Sequence, residues 1–379
     1  MGKPYKKTNP DEIKAFLGIN LLMGIKRYPS YRDYWSTAPD LHDPYISLIM
    51  TLHRFGWLLS HVHLNDNSVI PARDTINFDK LYKVRPFLDS LKANFRNCLQ
   101  PHENVAVDES MIKFKGRISI KQYMPKKPIK RGYKVWMLAD SSGYFLNFEI
   151  YTGKAGNEVE QNLGARVVKN MTSEIANKNH KVFFDNFFTG VPLMEELRQQ
   201  HLYACGTVNS TRKNLPQFKT DKELKRGDFD WYSSNTGLAA IKWRDRRSVH
   251  LLSYYHNPSS STAVKRKEKD GTQVQVPCPI MLRDYNKNMN FVDKFDQLRA
   301  TYGIDRKSHK WWHRIFFFFI DSALVNAFII NNFLGKSPQL TIKNFRRQVS
   351  EGLVSNNLVN HLSLPTDLSL PLKKHKPSV

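Results

Sequence analysis

Cysteine is scarce in this chain of 379 residues: there are three, Cys98, Cys205 and Cys278, and no C-x-x-C pair. An odd number so widely spaced argues against a disulfide framework and against a cysteine-built zinc cluster, and a reducing compartment is expected. Long apolar runs are missing as well. The opening segment MGKPYKKTNP holds no apolar signal core, and the longest wholly apolar run, Ile315 to Ile320, has six residues. A bilayer span needs about 20, so a soluble, intracellular chain with no membrane partner is expected. Acids are the third shortage, with 34 Asp and Glu against 58 Lys and Arg and a formal net charge of +24. Such an excess points to a polyanionic partner, nucleic acid before a membrane surface. Apolar material is ample, 41% hydrophobic and 12% aromatic, which excludes a disordered chain, and the length allows two or three domains.

The first hundred residues read as helices. Asn9-Pro10-Asp11-Glu12 offers a cap, a first-turn proline and an acid at the capping-box position, and Ile13, Phe16, Leu17 and Leu21 form one apolar face. A second helix is expected after Asp43-Pro44, and a third from about Asp79 to Leu99, bent near Pro86. From Asn104 the apolar period drops to two. Val105 and Val107, then Val135 to Leu138, then Phe145 to Ile150 read as three strands, the last two joined by the turn Asp140-Ser141-Ser142-Gly143. A helix over Leu163 to Ile175, a buried strand Lys181 to Phe184, a helix Val191 to Gln200 and a strand Leu202 to Val208 follow. The order βββ, α, β, α, β predicts a mixed α/β sheet rather than a doubly wound parallel one.

Basic and polar loops around two strand-like runs, Leu238 to Trp243 and Ser248 to Tyr255, mark residues 210–278 as an insertion. Beyond it, Asn290 to Thr301 and Trp311 to Phe333 read as helices. The second carries His313, Arg314, Asp321 and Asn326, which argues for core rather than membrane. The end, with Leu-Pro repeats and Lys373-Lys374-His375-Lys376, reads as a loose basic tail.

Three acids stand at the edges of apolar elements: Asp108 after Val105-Ala106-Val107, Asp185 after Val182-Phe183-Phe184, and Asp293 after Phe291-Val292. Singly, each has a bland explanation as a turn residue or, for Asp293 and Asp296, as first-turn carboxylates that favour the helix dipole. Jointly, acids from two neighbouring strands and a later helix suit one or two Mg²⁺ ions, which prefer carboxylate oxygens; His or Cys would favour zinc. Two ions about 4 Å apart polarise a scissile phosphate and activate a water or 3′-hydroxyl. Asp296, one turn after Asp293, offers a fourth oxygen or a support for the third carboxylate.

Between Ser110 and Ala139 there is no acid, and nine bases stand there: Lys113, Lys115, Arg117, Lys121, Lys126, Lys127, Lys130, Arg131 and Lys134. A solvated face is the ordinary reading; beside a candidate metal site, a phosphate-tracking surface is the expected one. A second basic cluster holds Arg299, Arg306, Lys307, His309, Lys310 and Arg314, next to Trp311 and Trp312, which either pack in the core or stack on unpaired bases. Other patterns fail. His309 and His313 lack the glutamate of a zinc hydrolase helix, His61-Val62-His63 has no partner cysteines, and Gly153, Gly156 and Gly164 are too dispersed for a phosphate loop.

A run of ordered motifs adds a resemblance. Leu21-Leu22-Met23-Gly24-Ile25, Tyr31-Arg32-Asp33-Tyr34-Trp35, Val107-Asp108-Glu109-Ser110-Met111 with Phe114-Lys115-Gly116-Arg117, Tyr123-Met124-Pro125-Lys126-Lys127-Pro128, Asp185-Asn186-Phe187-Phe188-Thr189, Val292-Asp293 with Asp296-Gln297, and Trp311-Trp312 with Arg314-Ile315-Phe316-Phe317 stand in sequence over residues 10–335. In these the chain resembles the piggyBac-type transposases and their domesticated, transposable-element-derived relatives. The resemblance implies an RNase H-like mixed-sheet catalytic domain, interrupted by a mainly-β insertion and flanked by helical dimerisation and DNA-binding segments. The corresponding boundaries are 1–104 helical, 105–209 catalytic, 210–278 insertion, 279–301 last catalytic helix, 302–360 helical and 361–379 tail. It places active-site aspartates on Asp108, Asp185 and Asp293, with Asp296 as the additional acid, and implies Mg²⁺ or Mn²⁺ held by the first three. The implied chemistry is cleavage at transposon ends, hairpin formation and joining at TTAA targets in double-stranded DNA, by a homodimer expected in the nucleus. Two departures stand out: Asn290-Phe291 replaces the small residues usual before the third acid, and three scattered cysteines cannot build the zinc module of autonomous members. A domesticated DNA-binding or chromatin protein without cleavage is the alternative, and a nuclease acting on RNA or hybrids a third reading.

Overall fold

The computed structural model describes residues 7–153, 160–335 and 339–359. It divides into two compact units, one of residues 1–62 with 343–379 and one of residues 63–342. The expected tail, 361–379, lies outside the described residues.

In the smaller unit, helix α1 (Pro10–Ile25) starts as its sequence directs: the Asn9 side chain accepts the Glu12 N–H at 2.8 Å, and Pro10 opens the first turn. The Glu12 carboxylate does not close a capping box; it accepts from Arg54 Nε at 2.6 Å. Arg54 belongs to α3 (Leu52–His61), which follows α2 (Pro44–Ile49). Ala15, Phe16, Ile19, Ile46, Ile49 and Phe55 make the core. The last described helix of the chain, Ile342–Val359, joins it: Val354 is buried there, and the Ser350 hydroxyl and Arg346 guanidinium donate to the carbonyls of Gly18 and Leu21 at 2.9 Å each.

The larger unit begins with helix α4 (Arg85–Cys98), in which Pro86 occupies the first turn. The expected bend at Pro86 is therefore a helix start, since an N-terminal proline forfeits no intrahelical bond. The sheet then opens with β1 (Asn104–Lys113), β2 (Gln122–Tyr123), β3 (Arg131–Asp140) and β4 (Phe145–Ile150). Helix α5 (Leu163–Thr172), β5 (Lys181–Phe184), α6 (Val191–Gln199) and β6 (Tyr203–Val208) follow. Strand β3 pairs antiparallel with β1 and β4, whereas β1, β5 and β6 are parallel neighbours. The sheet is mixed, as the element order predicts.

The insertion is less separate than its composition suggests. Strands β7 (Phe229–Ser233), β8 (Ala239–Arg244) and β9 (Ser248–Ser253) continue the same sheet, because β9 pairs antiparallel with β6 and gives the order β2-β3-β1-β5-β6-β9-β8-β7. Only β10 (Ser261–Lys267) and β11 (Gln273–Pro279) form a hairpin of their own.

Helices α7 (Ile280–Asn288), α8 (Phe291–Thr301) and α9 (Trp311–Phe333) return the chain to the sheet, and α10 is the helix Ile342–Val359 already described. The Asn147 side chain donates to the Met171 carbonyl at the end of α5, while its neighbour Phe148 packs against Phe319 of α9, ring centres 4.3 Å apart and tilted. Successive strand residues point to opposite faces, so the sheet is covered on both. Helix α9 is long and apolar enough to cross a membrane, yet 67% of its most apolar stretch is buried, and it packs on α4, α8 and β1. Helix α4 packs on β4 and α9 on β1, and the compact units divide near residues 62 and 342.

Candidate active site

Strand β1 is fixed in the middle of the sheet by Val105, Ala106 and Val107, all fully buried. Strand β5 has three consecutive buried residues, Val182, Phe183 and Phe184, as a central parallel strand requires. Their register pairs Val107 with Phe184, so Asp108 and Asp185 come next on each strand, side by side at the same end. One carboxylate oxygen each from Asp108, Asp185 and Glu109 lie within 4.8 Å of one another, the one such acidic group that could hold a metal among the described residues. Glu109 is the residue that sequence reasoning passed over. It stands inside the quoted Val107-Asp108-Glu109-Ser110 run, but period-two alternation assigns it to the opposite face.

The turn role expected of Asp185 is also present: its Oδ1 accepts the Phe187 N–H at 2.9 Å. That hydrogen bond orients the carboxylate without neutralising it. Burial and the neighbouring Glu109 and Asp185 charges push the Asp108 carboxyl up to about 8, against the nearby Lys127 and the Glu109 N–H. Burial and Glu109 raise Asp185 as well. Crowded carboxylates in a low-dielectric pocket repel one another, and hard oxygen donors of this kind fit Mg²⁺ or Mn²⁺.

Asp293 and Asp296 lie on α8, which packs across β1 and β3. Asp293 is exposed in the first turn and is not one of the three clustered carboxylates, though its charge acts on Lys127. Asp296 pairs with Arg299 at 3.3 Å. Asn290, in the position where small residues are usual, has φ −92°, an ordinary value that needs no glycine, and Phe291 is buried.

The nine bases after Asp108 divide in two. Lys127 and Lys134 turn toward the acids, 3.1 and 4.0 Å from the Glu109 carboxylate, and Lys134 also lies 4.6 Å from the Phe187 ring centre. Lys113, Lys115, Arg117, Lys126, Lys130 and Arg131 are exposed. Lys113, Lys115, Tyr123, Lys130 and Arg131 line an open cavity of about 580 Å³, with the Arg131 guanidinium 5.3 Å from the ring of Tyr123, itself 62% exposed. Lys121 donates to the Gly116 carbonyl at 2.6 Å and shapes the loop.

The later basic cluster is tied more to aromatic core. Arg299, Arg306 and Lys310 lie 4.4, 5.8 and 6.0 Å from the rings of Phe318, Phe317 and Trp312, and Trp312 is 4% exposed, which settles it as core. Lys307 is exposed. His313 is buried, with Nδ1 2.9 Å from the Ser308 hydroxyl, and burial with Lys310 and Arg306 lowers its pKa to about 4.

The chain matches the family model Transposase IS4 over residues 3–328. It is 30% identical over 352 residues to the human PiggyBac transposable element-derived protein 2, covering 89% of this chain and 58% of that protein. It is 24% identical to the human PiggyBac transposable element-derived protein 5, covering 94% of this chain and 68% of that protein. A cryo-EM structure of a piggyBac transposase synaptic complex with hairpin DNA superposes with a TM-score of 0.83 at 26% identity, over 97% of this chain and 75% of that one. The chain thus spans a little over half the length of the first of these relatives.

Proposed function

Because the chain belongs to the piggyBac-type transposase family and shares its RNase H-like fold, we propose that it cleaves and joins double-stranded DNA in a reaction dependent on Mg²⁺ or Mn²⁺. The observation that carries this reading is the convergence of Asp108, Glu109 and Asp185 at adjacent parallel strand ends. Divalent ions bound there supply polarisation of the scissile phosphate and activation of the attacking oxygen. Asp108 and Asp185 would hold them through carboxylate oxygens, with Asp293, in the first turn of α8, as the third acid that the family resemblance implies and Asp296 one turn on as its support. Water is the nucleophile for cutting and the freed 3′-hydroxyl for hairpin formation and joining at TTAA.

The exposed bases Lys113, Lys115, Arg117, Lys126, Lys130 and Arg131 supply the phosphate contacts that position a duplex, with Lys307 and the outward parts of Arg306 and Lys310 as a second patch. The working form is a homodimer that pairs two DNA ends, in the nucleus. The test is nicking and joining of a labelled TTAA duplex with Mg²⁺ or Mn²⁺. Metal-dependent product from wild type, lost in Asp185→Asn while DNA binding persists, supports the reading. Binding without product in both would move the chain to the alternative, a DNA-binding protein derived from a transposase.

A further inference from the structure

Lys127 differs from the other bases of its run in where its charge is spent. Its ammonium is 3.1 Å from the Glu109 carboxylate, and the side chain is 32% exposed. Although burial works against its charge, Asp108, Glu109 and Asp293 together raise its pKa, and it acts in turn on Asp108 and Asp185. Because the Glu109 carboxylate is itself clustered with those of Asp108 and Asp185, its ion pair holds the Lys127 ammonium beside the candidate site. Lys115, Lys126 and Lys130, by contrast, are exposed and make no ion pair among the described residues.

The backbone around Lys127 is built to hold it. The loop between β2 and β3 is closed by the Met124 N–H donating to the Lys130 carbonyl at 2.9 Å and the Lys127 N–H donating to the Met124 carbonyl at 3.2 Å. Pro125 and Pro128 stiffen the same turn. A lysine that only tracked the DNA backbone would gain nothing from such a mount, since surface phosphate contacts work through mobile, solvated ammonium groups.

We infer that Lys127 is a catalytic residue of the phosphoryl-transfer site, donating to a non-bridging oxygen of the scissile phosphate, and that Glu109 is the positioning residue that aims it. The inference rests on the reaction proposed above. As the water oxygen bonds to phosphorus, the bond from phosphorus to the 3′-oxygen breaks with its electron pair on that oxygen, which takes up a proton while the water's proton leaves to solvent. Lys127 stays protonated throughout, and its charge offsets the negative charge gathering on the equatorial oxygens. Glu109 prevents the ammonium from folding onto Asp108 and Asp185, whose oxygens are needed for the divalent ions.

The experiment uses the full chain with Lys127→Ala, Lys127→Arg and Glu109→Gln, and reads two quantities. One is the single-turnover rate constant on a TTAA duplex at saturating DNA with Mn²⁺; the other is Mn²⁺ affinity by calorimetry without DNA. Lys127→Ala should lower the rate constant about 100-fold, with DNA affinity within about threefold of wild type and Mn²⁺ bound as tightly or more tightly, since a competing cation is gone. Lys127→Arg should recover part of the rate, and Glu109→Gln should lower it less than Lys127→Ala. A near-wild-type rate for Lys127→Ala, a loss explained by DNA affinity alone, or weakened Mn²⁺ binding would each overturn the assignment. Wild type without product in the same assay overturns the functional reading itself, and this inference with it.

Discussion

Asp108 and Asp185 sit on neighbouring parallel strands one step beyond the paired Val107 and Phe184, which brings their carboxylates together at one end of the sheet. Neither strand can shift without moving a fully buried run of side chains to the wrong face, so the sheet itself holds two carboxyl groups in proximity. That strain has measurable consequences.

The first is a pH-dependent cost. Asp108 keeps its proton in the folded chain up to about 8, whereas an unfolded aspartate releases it near 3.8. The folded state thus binds more protons across that window, and stability falls as pH rises through it. Without metal, Asp108→Asn should melt about 2–4 °C above wild type at pH 8, with the gap closing toward pH 4, in thermal unfolding followed by circular dichroism. An equal or lower melting temperature at pH 8 would contradict this.

Relief of the same repulsion predicts metal-linked stability. Millimolar Mg²⁺ or Mn²⁺ should raise the melting temperature of wild type at pH 7.5 in proportion to RT ln(1 + [L]/Kd), and the rise should shrink at pH 5, where protons compete more strongly for Asp108. Asp185→Asn should lose most of it. A rise that persists unchanged in Asp185→Asn would place the metal elsewhere.

The exposed bases predict a salt signature. Lys115 and Lys130 line one cavity with Tyr123 and Arg131, and each is read as a phosphate contact. Lys115→Ala and Lys130→Ala should each reduce the slope of log affinity against log salt by about 1, equally for TTAA and unrelated duplexes. Fluorescence anisotropy across a salt series measures it; unchanged slopes would remove these residues from the DNA path.

Strand β6 predicts a packing effect at the site. Gly206 pairs with Phe184, and a Cβ there would stand 2.5 Å from Thr189 Oγ1 and 2.8 Å from the Phe184 carbonyl. Gly206→Ala should cost about 1–3 kcal/mol in urea unfolding and displace the Asp185 loop, so cleavage should fall further than the stability loss explains. Wild-type stability would show that the strands part easily.

Much of this was legible in the sequence, because local patterns decided it. Asn9 capped its helix, Trp311 to Phe333 formed one helix, and Val105 and Val107 marked a strand ending in an acid. What escaped was set at long range. Pairing of β9 with β6 joins residues about fifty apart and draws the insertion into the main sheet, which no local period signals. Helix α7 alternates polar residues such as Arg283, Asp284 and Lys287 with Met281, Leu282 and Tyr285, a face visible only once a sheet is there to meet it. Glu109 was hidden by the very alternation that revealed Asp108, and the inward turn of Lys127 and Lys134 was hidden by a run of bases that reads as uniformly solvated.

The central claim, that this acid cluster places divalent metal on the phosphate being cut, is tested most directly by sulphur substitution. A TTAA duplex with phosphorothioates through the tetranucleotide should be cut more slowly than the unmodified duplex in Mg²⁺, and Mn²⁺, which accepts sulphur better, should restore the rate. No cleavage of the unmodified duplex in either metal, or an identical sulphur effect in both, would contradict the account.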